Sequence, residues 1–172
     1  NHGNALMLAY PGVTAKFPTV FNSIPPGPKH WAPKTVAWLG PAVSLENEAD
    51  LLPDADGVTN IDPPTNAANR DLFDDGLVLP AGLPSCGQVQ LQYILSTLGS
   101  APTTVPLYVN VWLDYNRDGD WEDSFKCALS PTITGLAHEW AVQNAIIPAG
   151  TMPGLYLTPV FTAANLKPGE DM

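Results

Sequence analysis

Apolar and polar residues alternate along much of the second half of this chain. Val105, Leu107, Val109, Val111 and Leu113 form the longest alternating row, with Tyr108, Asn110 and Trp112 facing the other way. Period-two alternation is the signature of a strand with one buried face. Val89, Leu91 and Tyr93 alternate with Gln88, Gln90 and Gln92 in the same manner. Trp140 and Val142 alternate with Ala141 and Gln143 and lead into Ile146-Ile147-Pro148. Leu155 to Phe161 reads as a further strand, in which Pro159 signals an edge or a bulge because proline cannot donate to a ladder. Shorter strands are expected at Lys34 to Leu39, Leu77 to Leu79 and Ala5 to Ala9. Pro or Gly interrupts nearly every window long enough for a helix.

Short strands separated by Pro/Gly turns predict an all-β fold, a β-sandwich of Ig-like or jelly-roll-like type. Residues 1–80 differ from the rest. They are rich in loops, Pro and acids, and read as an irregular arm packed on a sandwich core formed by 81–172. At 172 residues the two make one structural unit of ordinary domain size.

Charge sharpens this picture. Seventeen acids face seven bases, for a net charge of −10. Such a surface repels phosphate backbones, which argues against nucleic acid as a partner. Nine of the acids fall between Glu46 and Asp75 and five between Asp114 and Asp123. Crowded carboxylates resist ionisation together unless a cation neutralises them, so both clusters point to bound metal; the alternative is a solvated acidic loop. No run approaches eighteen apolar residues, which argues against a membrane-spanning helix.

The most specific motif is Asp114-Tyr115-Asn116-Arg117-Asp118-Gly119-Asp120-Trp121-Glu122-Asp123. Oxygen-bearing side chains recur at every second position, Asp114, Asn116, Asp118 and Asp120, and Gly119 supplies a turn. Calcium takes six to eight oxygens at about 2.3–2.6 Å, and a tight loop of this pattern aims alternate side chains at one point. Magnesium demands a stricter octahedron and keeps more water, so Ca2+ is the expected ion. The segment is not an EF-hand: the twelfth position is Phe125 where a bidentate Glu is required, and a strand precedes it. Asp123 or Glu122 closes the shell in this reading, whose alternative is an Asp-Gly hairpin turn facing water. The earlier cluster, Glu46, Glu48, Asp50, Asp54 and Asp56, followed by Asp71, Asp74 and Asp75, fits no single template. Its expected role is to wrap one or two further calcium ions and order the arm.

Cys86 and Cys127 are the two cysteines. An even count in an acidic, Lys-poor, Pro-rich chain fits one disulfide in an oxidising compartment; two unrelated buried thiols are the alternative. Pairing would tie the acidic loop to the strand that begins near Val89. The sequence contains no HExxH, no G-x-S-x-G elbow and no P-loop, so an enzyme is not expected. His138-Glu139 stands alone. The five Trp at 31, 38, 112, 121 and 140 read first as packing residues, with glycan stacking as the alternative.

The segment from Trp112 to Asp123, Trp-Leu-Asp-Tyr-Asn-Arg-Asp-Gly-Asp-Trp-Glu-Asp, resembles the W-[IL]-D-[FWY]-N-x-D-G-[DE]-[FW] stretch of bacterial GEVED-type surface domains. Gly27-Pro28-Lys29-His30, Trp38-Leu39-Gly40, the acids from Glu46 to Asp56, and Asp74-Asp75-Gly76 resemble the arm that precedes that domain. The resemblance implies an extracellular or cell-surface β-sandwich with calcium sites and a structural or adhesive role. The family pattern runs on to a Gly-Glu-x-Glu-Asp-Tyr motif, and Gly169-Glu170-Asp171 departs from it. Three readings of that departure stand: the chain is a fragment, the family limit differs here, or a closing strand comes from another copy, which would make the chain a subunit of an extracellular filament or surface layer assembled by strand addition. A carbohydrate-binding module is the third reading, resting on the Trp content. Expected partners are therefore calcium, copies of the chain or other surface proteins, and glycan.

Overall fold

The computed structural model describes residues 8–10, 13–14, 36–42, 76–78 and 80–164. All regular structure in these residues is β, and every pairing is antiparallel. The strands are β1 (Leu8–Tyr10), β2 (Val13–Thr14), β3 (Ala37–Leu39), β4 (Leu77–Val78), β5 (Gln88–Val89), β6 (Gln92–Thr97), β7 (Leu107–Trp112), β8 (Ser124–Ser130), β9 (Ile133–His138), β10 (Trp140–Ile147), β11 (Gly154–Leu157) and β12 (Phe161–Thr162). The acidic residues Glu46, Glu48, Asp50, Asp54, Asp56, Asp71, Asp74 and Asp75, and most of the expected arm, lie outside the described residues.

The alternation at 89–95 forms as expected. Leu91, Tyr93, Leu95 and Thr97 are buried, and β6 pairs with β11 on one side and with β3 and β4 on the other. The expected strand from Leu155 to Phe161 divides at Pro159 into β11 and β12. Thr158 bridges the gap: its amide donates to the Leu91 carbonyl (2.9 Å), and its hydroxyl oxygen accepts from the Leu91 amide (3.0 Å). The buried hydroxyl thus stands in for a main-chain carbonyl as the acceptor of the Leu91 amide.

The row at 105–113 also forms, between narrower limits. Val109 and Val111 are buried, Leu107 and Leu113 are half-buried, and Tyr108 and Trp112 are exposed. Val105 is exposed and precedes β7, so the inward row begins at Leu107. Among the described residues β7 has one strand neighbour, β10.

In β10 the simple alternation is wrong. It places Trp140 and Val142 on one face, whereas Val142 is buried and Trp140 stands outward. The register shifts between these residues, and again between Val142 and Ala145 near Asn144 (φ 48°). A bulge inserts one residue and reverses the facing of everything beyond it. The hairpin β8–β9 was not among the expected strands, although Phe125, Cys127 and Leu129 alternate inward against Ser124, Lys126 and Ala128.

Two apolar clusters result. The larger joins Leu91, Tyr93 and Leu95 to Val109, Val111, Val142, Ile147 and Phe161, so the β6 sheet and the β7–β10 pair share one core. The smaller, made of Tyr115, Cys127, Ala137, Ala163 and Ala164, lies beneath the segment that joins β7 to β8. Cys86 and Cys127 form a disulfide across the smaller cluster, with Cα atoms 5.0 Å apart and a sequence separation of 41. A closed loop of that length stabilises the fold by about 4 kcal/mol in the chain-entropy model.

Candidate metal centre

The loop from Asp114 to Asp123 leaves the end of β7 and enters β8. Its course follows from local chemistry. Arg117 and Gly119 both take left-handed backbone conformations, at φ 56° and 89°. Glycine adopts this without strain, and the short polar side chains beside it compensate by bonding to the backbone. The Asn116 side-chain oxygen accepts from the Asp118 amide (3.2 Å), Asp118 Oδ1 from the Asp120 amide (3.2 Å), and Asp120 Oδ1 from the Glu122 amide (3.1 Å). These successive two-residue turns coil the segment and direct alternate side chains to one side. Asp114 lies at the start of the coil. Its Oδ2 accepts from the Gly119 amide (3.0 Å) and its Oδ1 from the Asp118 amide (3.3 Å).

Three carboxylates converge. Ligand oxygens of Asp118, Asp120 and Asp123 all lie within 4.8 Å of one another, and all three side chains are half-buried. Oxygens on opposite sides of one calcium ion are separated by about twice the 2.3–2.6 Å bond length, so this trio fits around a single cation. Asn116 stands beside it and donates from Nδ2 to Asp123 Oδ2 at 2.6 Å. Of the residues the motif marks, Asp118, Asp120 and Asp123 are brought together, Asn116 fixes Asp123, and Asp114 holds the coil's backbone. Glu122 is exposed.

The motif does not contain the residue that joins the two ends of this loop. Glu139, at the corner between β9 and β10, has no exposed surface. Its Oε1 accepts from the Tyr115 amide (3.0 Å) and its Oε2 from the Asp123 amide (3.1 Å). Its main chain adds bonds from the Leu113 amide to its carbonyl (2.8 Å) and from its own amide to the Asp123 carbonyl (3.1 Å). Burial pushes its carboxyl up to about 7, and the Asp114 and Asp123 charges push the same way. The Asp123 and Tyr115 amides pull in the opposite sense. Sequence offers one signal for Glu139, a single acid inside an apolar strand region, and pattern alone does not connect it to a loop sixteen residues upstream.

Tyr115 anchors the loop from below. Its ring is buried edge-on against Phe125, with centroids 5.9 Å apart. Burial, foremost, and the Glu139 charge push its hydroxyl up to about 12 against the pull of the Ala164 backbone.

On the outer face, Trp121 from the loop stacks on Trp112 (5.5 Å between centroids), which stacks on Trp140 (5.9 Å, planes 13° apart). Trp112 and Trp140 are directly opposed across β7 and β10, and the bulge that turns Trp140 outward completes the row. Asn110 Oδ1 accepts from both the Trp140 indole N–H (3.0 Å) and the Asn144 amide (2.9 Å), fixing that indole. Trp112 and Trp140 remain more than one third exposed. Tyr108 and Ile146, opposite each other on the same face, are more exposed still.

No family model matches this chain, and no curated protein or solved structure matches it either. Among the described residues no helix is long and apolar enough to cross a membrane.

Proposed function

We propose that this chain is a calcium-binding, disulfide-stapled β-sandwich that serves outside the cell as a structural or adhesive module, in the manner of the GEVED-type surface domains its loop resembles. The observation that carries the reading is the convergence of Asp118, Asp120 and Asp123 on one point of a self-coiled loop. Side-chain oxygen ligands from an alternating segment are the donor set of a hard cation, and the spacing tolerates calcium's larger, irregular shell better than magnesium's octahedron. The disulfide supports an oxidising compartment. The core shared by the β6 sheet and the β7–β10 pair supports the two-layer arrangement. Calcium acts here by linkage, stabilising the folded state alone.

The test is the melting temperature of the full chain in millimolar calcium and then in excess chelator. A reversible drop of several degrees, absent in Asp118→Ala, supports the reading. An unchanged melting temperature contradicts it.

The exposed Trp row favours a second reading, a glycan-binding face. Sugar rings stack on indoles through their apolar faces. Trp112 is flanked on both sides, so the outer face of Trp140 would take the sugar. Retention on immobilised polysaccharide that Trp140→Ala abolishes supports this reading, and equal behaviour of wild type and variant on every glycan removes it.

A further inference from the structure

Glu139 meets the loop at both of its ends and lies outside it, at the corner between β9 and β10. Its two carboxylate oxygens take one amide each, Tyr115 where the loop begins and Asp123 where it ends. Its main chain repeats the connection, to Leu113 before the loop and to Asp123 after it. Asp123 is therefore held at three points: its amide and carbonyl on Glu139, and its carboxylate on Asn116. Asp118 and Asp120, by contrast, are placed by bonds internal to the coil. The place of the Asp123 main chain against the coil is thus set by a residue outside the loop, while Asn116 orients its carboxylate.

We infer that Glu139 is the positioning residue of the cation site: it presets Asp123 against Asp118 and Asp120 and thereby sets the loop's affinity for calcium. This rests on the calcium reading above. The chemistry requires a carboxylate. Both loop groups that meet its side chain are N–H donors, and only a carboxylate presents an acceptor to each. Glutamine keeps the volume but turns an NH2 toward one of the two amides. Aspartate is a methylene short of spanning them. Groups that orient metal ligands from behind typically change affinity ten- to a hundredfold when altered.

The experiment uses the full chain. Terbium luminescence excited through Trp121 reports the loop, and calcium displacement of terbium gives the affinity, with Asp120→Ala as the unbound baseline. Glu139→Gln is expected to bind calcium ten- to a hundredfold more weakly than wild type. Leu91→Ala, which weakens the larger apolar cluster, is expected to keep wild-type affinity, separating positioning from general loss of stability. Wild-type affinity in Glu139→Gln overturns the inference. Amide exchange of the wild-type chain in chelator supplies a reading that needs no variant. A preset loop protects the Tyr115 and Asp123 amides without any cation, and rapid exchange at both overturns it. A wild-type chain that binds neither terbium nor calcium at the loop overturns the calcium reading, and the affinity role of Glu139 with it. Protected amides in that same chain would show that the clamp forms and that the cation assignment is what failed.

Discussion

The two apolar clusters hold this protein together by different means. The larger is built from leucine, valine, isoleucine, tyrosine and phenylalanine contributed by facing strands. The fully buried part of the smaller is one large ring, Tyr115, with Cys127, Ala137, Ala163 and Ala164, flanked by half-buried Phe125 and Leu129. Burying a Leu or Val side chain is worth about 1.5–3 kcal/mol, whereas an Ala offers little area to bury. The end of the molecule that carries the acidic loop therefore leans on covalent and polar devices: the Cys86–Cys127 disulfide, the Glu139 clamp and, in the proposed function, a cation.

The largest effect that separates the two ends is loss of the disulfide. Cys86→Ala/Cys127→Ala is expected to cost about 4 kcal/mol of unfolding free energy. Amide exchange should accelerate at the loop and in β8 and β9 while β6 and β7 stay protected. Uniform acceleration would mean that the two clusters behave as one. Leu91→Ala comes next, at about 3 kcal/mol for a buried leucine. Denaturant titration should show that loss in calcium and in chelator alike, because Leu91 belongs to the larger cluster and bonds none of the loop's acids. Calcium itself follows. At a hundred times its dissociation constant it adds about 2.7 kcal/mol, and this increment should vanish in Asp120→Ala. The smallest effect belongs to the outer face. Trp140→Ala removes one stack and the bond to Asn110, worth about 1 kcal/mol, and should leave calcium affinity unchanged in a direct titration.

Much of the larger cluster was legible in the sequence because its strands are regular. Alternation at Leu91, Tyr93, Val109 and Val111 gave the buried face directly. It broke at Trp140, where a bulge leaves no mark in a period-two pattern. The loop itself was legible because its instructions are local: each turn needs an Asn or Asp two residues before the amide it caps, and Gly119 sits at a left-handed turn. The sequence left Cys86 and Cys127 open between one disulfide and two separate buried thiols, and the structure shows the disulfide. What encloses the loop was not legible. The β8–β9 hairpin hid in a short row interrupted by Ser130-Pro131-Thr132, and Glu139 reaches the loop only because that hairpin folds back. Sequence spacing specifies contacts within a turn, whereas a clamp between elements depends on tertiary register.

The central claim is that the loop from Asp114 to Asp123 holds a calcium ion through Asp118, Asp120 and Asp123. Calorimetric titration of calcium into the metal-stripped full chain, compared with the Asp118→Ala/Asp120→Ala double variant, tests it most directly. The account predicts saturable binding in which one site of the wild type is missing from the variant. Identical titrations of the two proteins, or no heat beyond dilution in the wild type, would contradict it.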